Sequence, residues 1–182
     1  MVLLNSKMVA LRTEAHDFSL RGVDGQEYTL DSFSDRNILI IVIMCNHCPY
    51  IKATIGRFVA LQHEYEKRGV QLVGINSNDD VNYPEDSFEN MKTFARESGI
   101  NFPYLRDDTQ EVARAYDAVC TPDIYLYGQE RRLLYRGRLD DNWQDESAVT
   151  RRDLKSAIDA ALAGQDPPSE QHPSMGCSIK WK

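Results

Sequence analysis

The tetrapeptide Cys45-Asn46-His47-Cys48 follows directly on an unbroken apolar run, Ile38 to Met44. A run of that length, mostly β-branched residues and Leu, reads as a strand buried on both faces. Amphipathic sequence comes next, with Ile51, Ile55, Phe58, Val59, Leu61, Gln62 and Tyr65 near helical spacing and Gly69 as the C-terminal cap. The two cysteines therefore sit where a buried strand hands over to the first turn of a helix. A helix N-terminus offers unpaired N–H groups and a partial positive charge. Both favour a thiolate over a thiol, and the thiolate is the reactive species. A C-x-x-C pair at that junction reads as a redox site.

At 182 residues the chain fits one domain with a real core. Its formal charge of −7 argues against nucleic acid or an anionic membrane as the main partner. No apolar stretch approaches transmembrane length, and Ser6, Lys7, Arg12, Glu14 and Asp17 interrupt anything like a signal-peptide core. A cytoplasmic location is expected. In a reducing compartment a C-x-x-C pair is catalytic or metal-binding rather than structural. The cysteines are Cys45, Cys48, Cys120 and Cys177, with no second C-x-x-C to complete a four-ligand zinc site. A mixed site drawn from Cys45, His47, Cys48 and Cys120 is conceivable, but strand-to-helix placement is wrong for a zinc knuckle. No metal or organic cofactor is expected.

Along the chain, Asp17 to Leu30 reads as two short strands around the turn signal Asp24-Gly25. Val70 to Asn76 is a second buried strand, and the acidic stretch Asn78 to Asp86 a solvated loop whose spacing does not match a calcium loop. Pro84 suits the first turn of a helix that turns Phe88, Met91, Phe94 and Ala95 inward and ends at Gly99. Phe102 to Leu105 is short and apolar. Asp108 with Glu111 has capping-box spacing and opens a short helix with Val112, Ala115 and Tyr116 inward. Ile124 to Tyr127 and Leu133 to Gly137 read as strands joined near Gly128. Thr150 and Asp153 cap a last helix with Leu154, Ala157, Ile158, Ala161 and Leu162 on one face, stopped by Gly164. The core is expected over about 14–165, followed by a proline-rich, mobile-looking tail over 166–182, in which Ile179 and Trp181 suggest docking. Early parallel crossovers and a late antiparallel pair imply an α/β protein with a mixed central sheet, helices on both faces and an N-terminal β-hairpin extension.

This order, with C-x-x-C after the first central strand, resembles the thioredoxin fold. His16-Asp17-Phe18-Ser19-Leu20 resembles the Pro-Asp-Phe-x-Leu opening of redoxins. Gly74-Ile75-Asn76, Phe102-Pro103-Tyr104-Leu105-Arg106-Asp107 and Ala115-Tyr116 follow in an order shared by two groups. These are TlpA/ResA-like thiol–disulfide oxidoreductases and the peroxiredoxin-like alkyl hydroperoxide reductase/thiol-specific antioxidant proteins. Val119-Cys120-Thr121-Pro122-Asp123 occupies the place of that superfamily's cis-proline loop, so the resemblance implies a cis Thr121-Pro122 bond. It further implies that this loop faces the C-x-x-C pair and aligns a substrate chain by strand addition.

On this reading Cys45 is the nucleophile, nearest the helix end and the more exposed sulfur, as in relatives. Cys48 resolves the mixed disulfide. His47 tunes the pair, because lowering a cysteine pKa stabilises the reduced form and makes the disulfide more oxidising. Cys120 is a third redox thiol or a packed small side chain, and Cys177 an additional resolving thiol or an exposed bystander. Thioredoxin's buried Asp is replaced here by Leu39, Ile40 and Ile41, and the TlpA/ResA-like Glu by Tyr50, Ile51 and Lys52. Proton transfer then needs water, His47 or an acid from elsewhere, such as Asp123. The Thr or Ser that peroxiredoxins carry three residues before their peroxidatic cysteine is Val42. Arg136 and Arg138 offer positive charge to a thiolate, but the simpler reading makes them strand-surface arginines.

The expected activity is dithiol–disulfide exchange on protein or small-molecule disulfides, with a second dithiol system as electron partner. The rivals are a peroxiredoxin-like thiol peroxidase, giving antioxidant activity, and a redox-sensing or metal-binding interaction protein on a thioredoxin scaffold.

Overall fold

The computed structural model describes residues 3–182. The apolar run forms strand β4 (Ile38–Ile43), and its alternation feeds two cores. Ile38, Ile40 and Val42 face one core, while Leu39, Ile41 and Ile43 face the other. All six side chains are at most 2% exposed. Each contributes about 1.5–3 kcal/mol on leaving water.

Beside β4 lie β5 (Val70–Asn76), parallel, and β8 (Asp123–Tyr127), antiparallel. The sheet continues through β6 (Tyr104–Arg106), which runs parallel to β5. It is completed by the hairpin β2 (Ser19–Gly22) and β3 (Glu27–Thr29) on one side and by β9 (Leu133–Arg136) on the other. The strand order is β3-β2-β6-β5-β4-β8-β9. Gly25, at φ +86°, supplies the left-handed residue of the hairpin turn.

Helices α1 (Pro49–Tyr65), α2 (Phe88–Glu97) and α4 (Asp153–Leu162) supply Ile51, Phe58, Met91, Leu154 and Ile158 to the first core. The short helix α3 (Glu111–Ala115) covers the second core with Val112 and Ala113, beside the hairpin's Phe18 and Leu20. This is the mixed α/β arrangement expected, with helices on both faces. No helix among the described residues is long and apolar enough to cross a membrane.

Several local expectations are corrected. The residue capping α3 is Gln110, at φ +64°, rather than Asp108. The Asp108 carboxylate instead accepts the Arg106 Nε–H at 2.9 Å, and Asp107 takes the Ala113 amide at 3.0 Å. Thr150 does not cap α4; its amide donates to Asp141 at 2.9 Å, which leaves Arg152 at the cap position.

The tail is not mobile in appearance. Its segment β10 (Met175–Ser178) is the middle strand of a second, three-stranded sheet, between β1 (Leu3–Asn5) and β7 (Cys120–Thr121). Ile179 is buried, and Trp181 lies against the Arg114 guanidinium, 4.3 Å from its ring centroid.

Arg136 is also not a surface residue. Its guanidinium is fully buried, pairs with the equally buried Asp123 at 3.1 Å, and donates to the Tyr125 hydroxyl at 2.9 Å. Arg138 is partly exposed and pairs with Asp153. Removing one member of a buried pair strands the other charge in a low-dielectric interior. Asp123→Ala should therefore cost about 3–5 kcal/mol, read as a lower urea midpoint with an unchanged slope.

Candidate active site

Strand β4 ends at Ile43, and the chain crosses Cys45, Asn46 and His47 before α1 begins. Pro49 occupies the first helical turn, where its missing N–H costs nothing, and Cys48 becomes the N-cap. The cysteine at the helix end is thus Cys48, with Cys45 three residues before it. Neither sulfur is the more exposed one, since Cys45 is 1% and Cys48 0% exposed.

Thr121-Pro122 is cis. The loop faces both cysteines: the Thr121 hydroxyl lies 3.5 Å from the Cys45 sulfur, and the Cys48 thiol donates to the Thr121 carbonyl at 3.2 Å. On its other side Cys48 Sγ is 3.1 Å from Cys177 Sγ. Cys177 is buried, so the exposed-bystander alternative does not hold. Cys120 is buried too, and its thiol points to the Pro122 carbonyl at 3.6 Å. Burial, reinforced by the Asp123 charge, pushes its pKa well up, so it rests as a neutral packed thiol.

Residues 81–85 of the acidic stretch are exposed as expected, but its two ends are folded inward. Asn78 and Asp79 are buried and Asp86 fully so. Asp86 accepts the Asn46 amide at 2.7 Å, the Asn78 side-chain amide at 2.7 Å and the His47 Nδ1–H at 2.6 Å. Asn46 is fixed further, donating to the Glu85 carbonyl and accepting from the Tyr104 hydroxyl, both at 2.8 Å. A carboxylate so well supplied with donors can be buried without a large penalty. Proximity along the chain gave no hint of this, because Asp86 lies 40 residues from Asn46. Asp123, considered from sequence as a proton-transfer acid, is committed to Arg136 instead.

The charges sort the two thiols. Cys48 is lowered to about 4. Its hydrogen bond with Cys45 is the largest cause; burial opposes it, and Thr121, Cys177 and the Ile51 amide assist. Cys45 is pushed well up by burial, by its hydrogen bond with Cys48 and by the Asp86 charge. The two thiols are thus shifted in opposite directions, Cys48 down and Cys45 up, by their different surroundings.

His47 is raised by its hydrogen bond to Asp86, against the effect of burial. Burial also works to raise Asp86, but the hydrogen bonds from His47 and Asn78 outweigh it and hold Asp86 low. The ligand atoms of Cys45, His47 and Asp86 lie within 4.8 Å of one another. Such a set offers three metal donors, although His47 and Asp86 already satisfy each other.

A model of the AhpC/TSA family matches residues 11–136. The chain belongs to that family. Among solved structures, it is similar to an uncharacterized conserved protein from Geobacillus kaustophilus, at 46% identity and a TM-score of 0.95, covering 100% of this chain and 97% of that one. It is also similar to a hypothetical protein from Sinorhizobium meliloti 1021, at 40% identity and a TM-score of 0.94, covering 98% of each chain. The thiol-disulfide oxidoreductase ResA of Geobacillus thermodenitrificans is 27% identical over 131 residues, 69% of this chain and 67% of ResA. Matches to two curated peroxiredoxins span only 29% and 41% of their lengths. The fold is thioredoxin-like, as in solved thiol-disulfide oxidoreductases of lower identity.

The His47–Asp86 pair carries a pH signature. The raised His47 pKa means its contribution to stability is fully present below the ordinary value of 6.5 and lost as pH rises through the folded value. The lowered Asp86 pKa means its contribution is present above the ordinary carboxylate value of 3.8 and lost as pH falls through the folded value. Asp86→Asn should bring the His47 titration down toward 6.5 in an NMR titration of the ring. The stability gap between wild type and variant should then be widest between those two limits.

Proposed function

We propose that this AhpC/TSA-family protein is a thiol–disulfide oxidoreductase that cycles Cys45 and Cys48 between dithiol and disulfide. The observation that carries this reading is the environment of Cys48. Cys48 is the N-cap residue of α1, and its sulfur lies against the carbonyl of the cis Thr121-Pro122 loop, whose Thr121 hydroxyl also meets the Cys45 sulfur.

The Cys48 thiolate attacks one sulfur of a substrate disulfide, forms a mixed disulfide and expels the other sulfur as a thiolate. Cys45 then loses its proton and attacks the Cys48 sulfur. The second substrate thiolate leaves, and a Cys45–Cys48 disulfide remains. The Asp86 carboxylate and the His47 ring, within 4.8 Å of the Cys45 sulfur, are the acid–base groups at hand for that proton. The sequence expectation gave the first attack to Cys45. The charge distribution supports the reverse order, because the thiolate is the nucleophile.

Substrates are protein or small-molecule disulfides, and a second dithiol system in a reducing, cytoplasmic setting restores the starting state. A cleft of about 330 Å³ lined by Tyr50, Thr54, Pro122, Trp143 and Met175 offers an approach beside the cis-proline. The peroxidase alternative draws support from relatives named peroxiredoxins. Against it stands Val42, buried inside β4 where a hydroxyl is needed.

Reduced protein offered hydrogen peroxide and a protein disulfide together, in an acid-quenched time course read by mass spectrometry, should reduce the disulfide and largely spare the peroxide. Early peroxide consumption through a cysteine sulfenate would transfer the assignment to peroxidase chemistry. Cys45→Ser should accumulate a mixed disulfide on Cys48 while Cys48→Ser traps little; the opposite pattern would return the first attack to Cys45. His47→Pro, which removes the ring paired with Asp86 beside the two thiols, should make the pair more reducing in equilibrium with glutathione.

A further inference from the structure

We propose that Cys177 is a third thiol of the redox centre, and that the Cys45–Cys48 disulfide exchanges internally to a Cys48–Cys177 disulfide joining α1 to the C-terminal strand. The inference rests on the reading of Cys45 and Cys48 as an exchange pair.

Three observations converge on it. Strand β10 pairs antiparallel with β7 in a register that sets Cys177 opposite Thr121 and Ser178 opposite Cys120. That register brings Cys177 Sγ to 3.1 Å from Cys48 Sγ. A shift of about 1 Å converts this contact into a bond, since a disulfide S–S distance is about 2.05 Å. The approach itself depends on Gly176. A Cβ at this position would stand 2.0 Å from the Thr121 carbonyl oxygen and 2.6 Å from its carbon. Both atoms belong to backbone that cannot swing aside, so only glycine lets β10 lie this close to the cis-proline loop.

The strand is also held on both flanks. Ser6 donates to the Ser174 carbonyl at 2.8 Å, and Ile179 to the Val119 carbonyl at 3.1 Å. Lys180 donates its amide to Asn78 at 2.9 Å, which ties the tail to the loop carrying Asp86.

The exchange is an isomerisation. Cys177 attacks the Cys48 sulfur of the Cys45–Cys48 disulfide, the Cys48–Cys177 bond forms, and the Cys45–Cys48 bond breaks. Cys45 leaves as a thiolate and takes up the proton given up by Cys177. No electrons enter or leave. Burial, then the hydrogen bond with Cys48 and its charge, push the Cys177 thiol up to about 12 in the reduced protein, and both Cys48 contributions end once Cys48 is in a disulfide. β10 already occupies the Thr121 edge in the reduced protein, where the resemblance to redoxins expects a client chain to add, and closing the bond fixes it there.

The test uses full-length reduced protein, stoichiometric oxidised glutathione, acid quenching at intervals, alkylation of free thiols and peptide mapping. A Cys48–Cys177 linked peptide should follow the appearance of the Cys45–Cys48 one. Gly176→Ala, which keeps every thiol but displaces the strand, should lower the Cys48–Cys177 yield at least ~tenfold, because disulfide geometry tolerates little displacement. Cys177→Ser should stop at Cys45–Cys48. Wild type that forms only Cys45–Cys48, with Cys177 alkylated at every time point, would overturn the proposal and leave the exchange reading standing. Formation of neither disulfide would overturn both.

Discussion

Strand β4 is hydrogen-bonded along both edges and covered on both faces, and the Cys45–Cys48 segment takes its position from that strand's end. With β5 on one side and β8 on the other, its C-terminal residue cannot shift without disturbing two ladders. The Met44 amide extends the pairing by one step, donating to the Ile75 carbonyl at 2.8 Å. Cys45 therefore leaves a rigid platform. The same sheet brings the cis-proline loop to the site, because β8 begins one residue after Pro122 and runs antiparallel to β4.

On that platform two opposing fields meet. The hydrogen bond with Cys45, helped by the Ile51 amide of α1, lowers the Cys48 pKa, while burial and the Asp86 charge raise that of Cys45. His47 partly neutralises Asp86 and is stacked against Tyr83 at a centroid distance of 5.6 Å. The acid that thioredoxin places before its first cysteine has no counterpart in β4, where Leu39, Ile40 and Ile41 fill the cores. A carboxylate reaches the thiols from the loop after β5 instead. The carboxylate beside Cys45 thus comes from a different part of the chain than the acid the resemblance implies.

Much of the framework was legible because it obeys simple periodicity. The alternation within Ile38–Ile43, the helical spacing from Ile51 to Tyr65 and the glycine stops at Gly69, Gly99 and Gly164 each encode one element locally. The cis bond was legible only through resemblance, since the dipeptide itself carries no such signal. What escaped was long-range polar burial. The polar residues Asn78, Asp79 and Asp86 read as solvent-loving until partners from distant segments satisfy them. Arg136 was misjudged for the same reason, because its counter-charge Asp123 lies on the neighbouring strand. The four-residue strand Met175–Ser178, with its central glycine, has no apolar alternation, and only its pairing with Cys120–Thr121 gives it a shape.

The small sheet formed by β1, β10 and β7 ties Leu3–Asn5 and Met175–Ser178, segments far apart in sequence, to one place above the thiols. The Cys48 and Cys177 sulfurs lie against this small sheet rather than within the β4 ladder, so amide hydrogen exchange in β10 and reagent access to Cys48 should report one local opening.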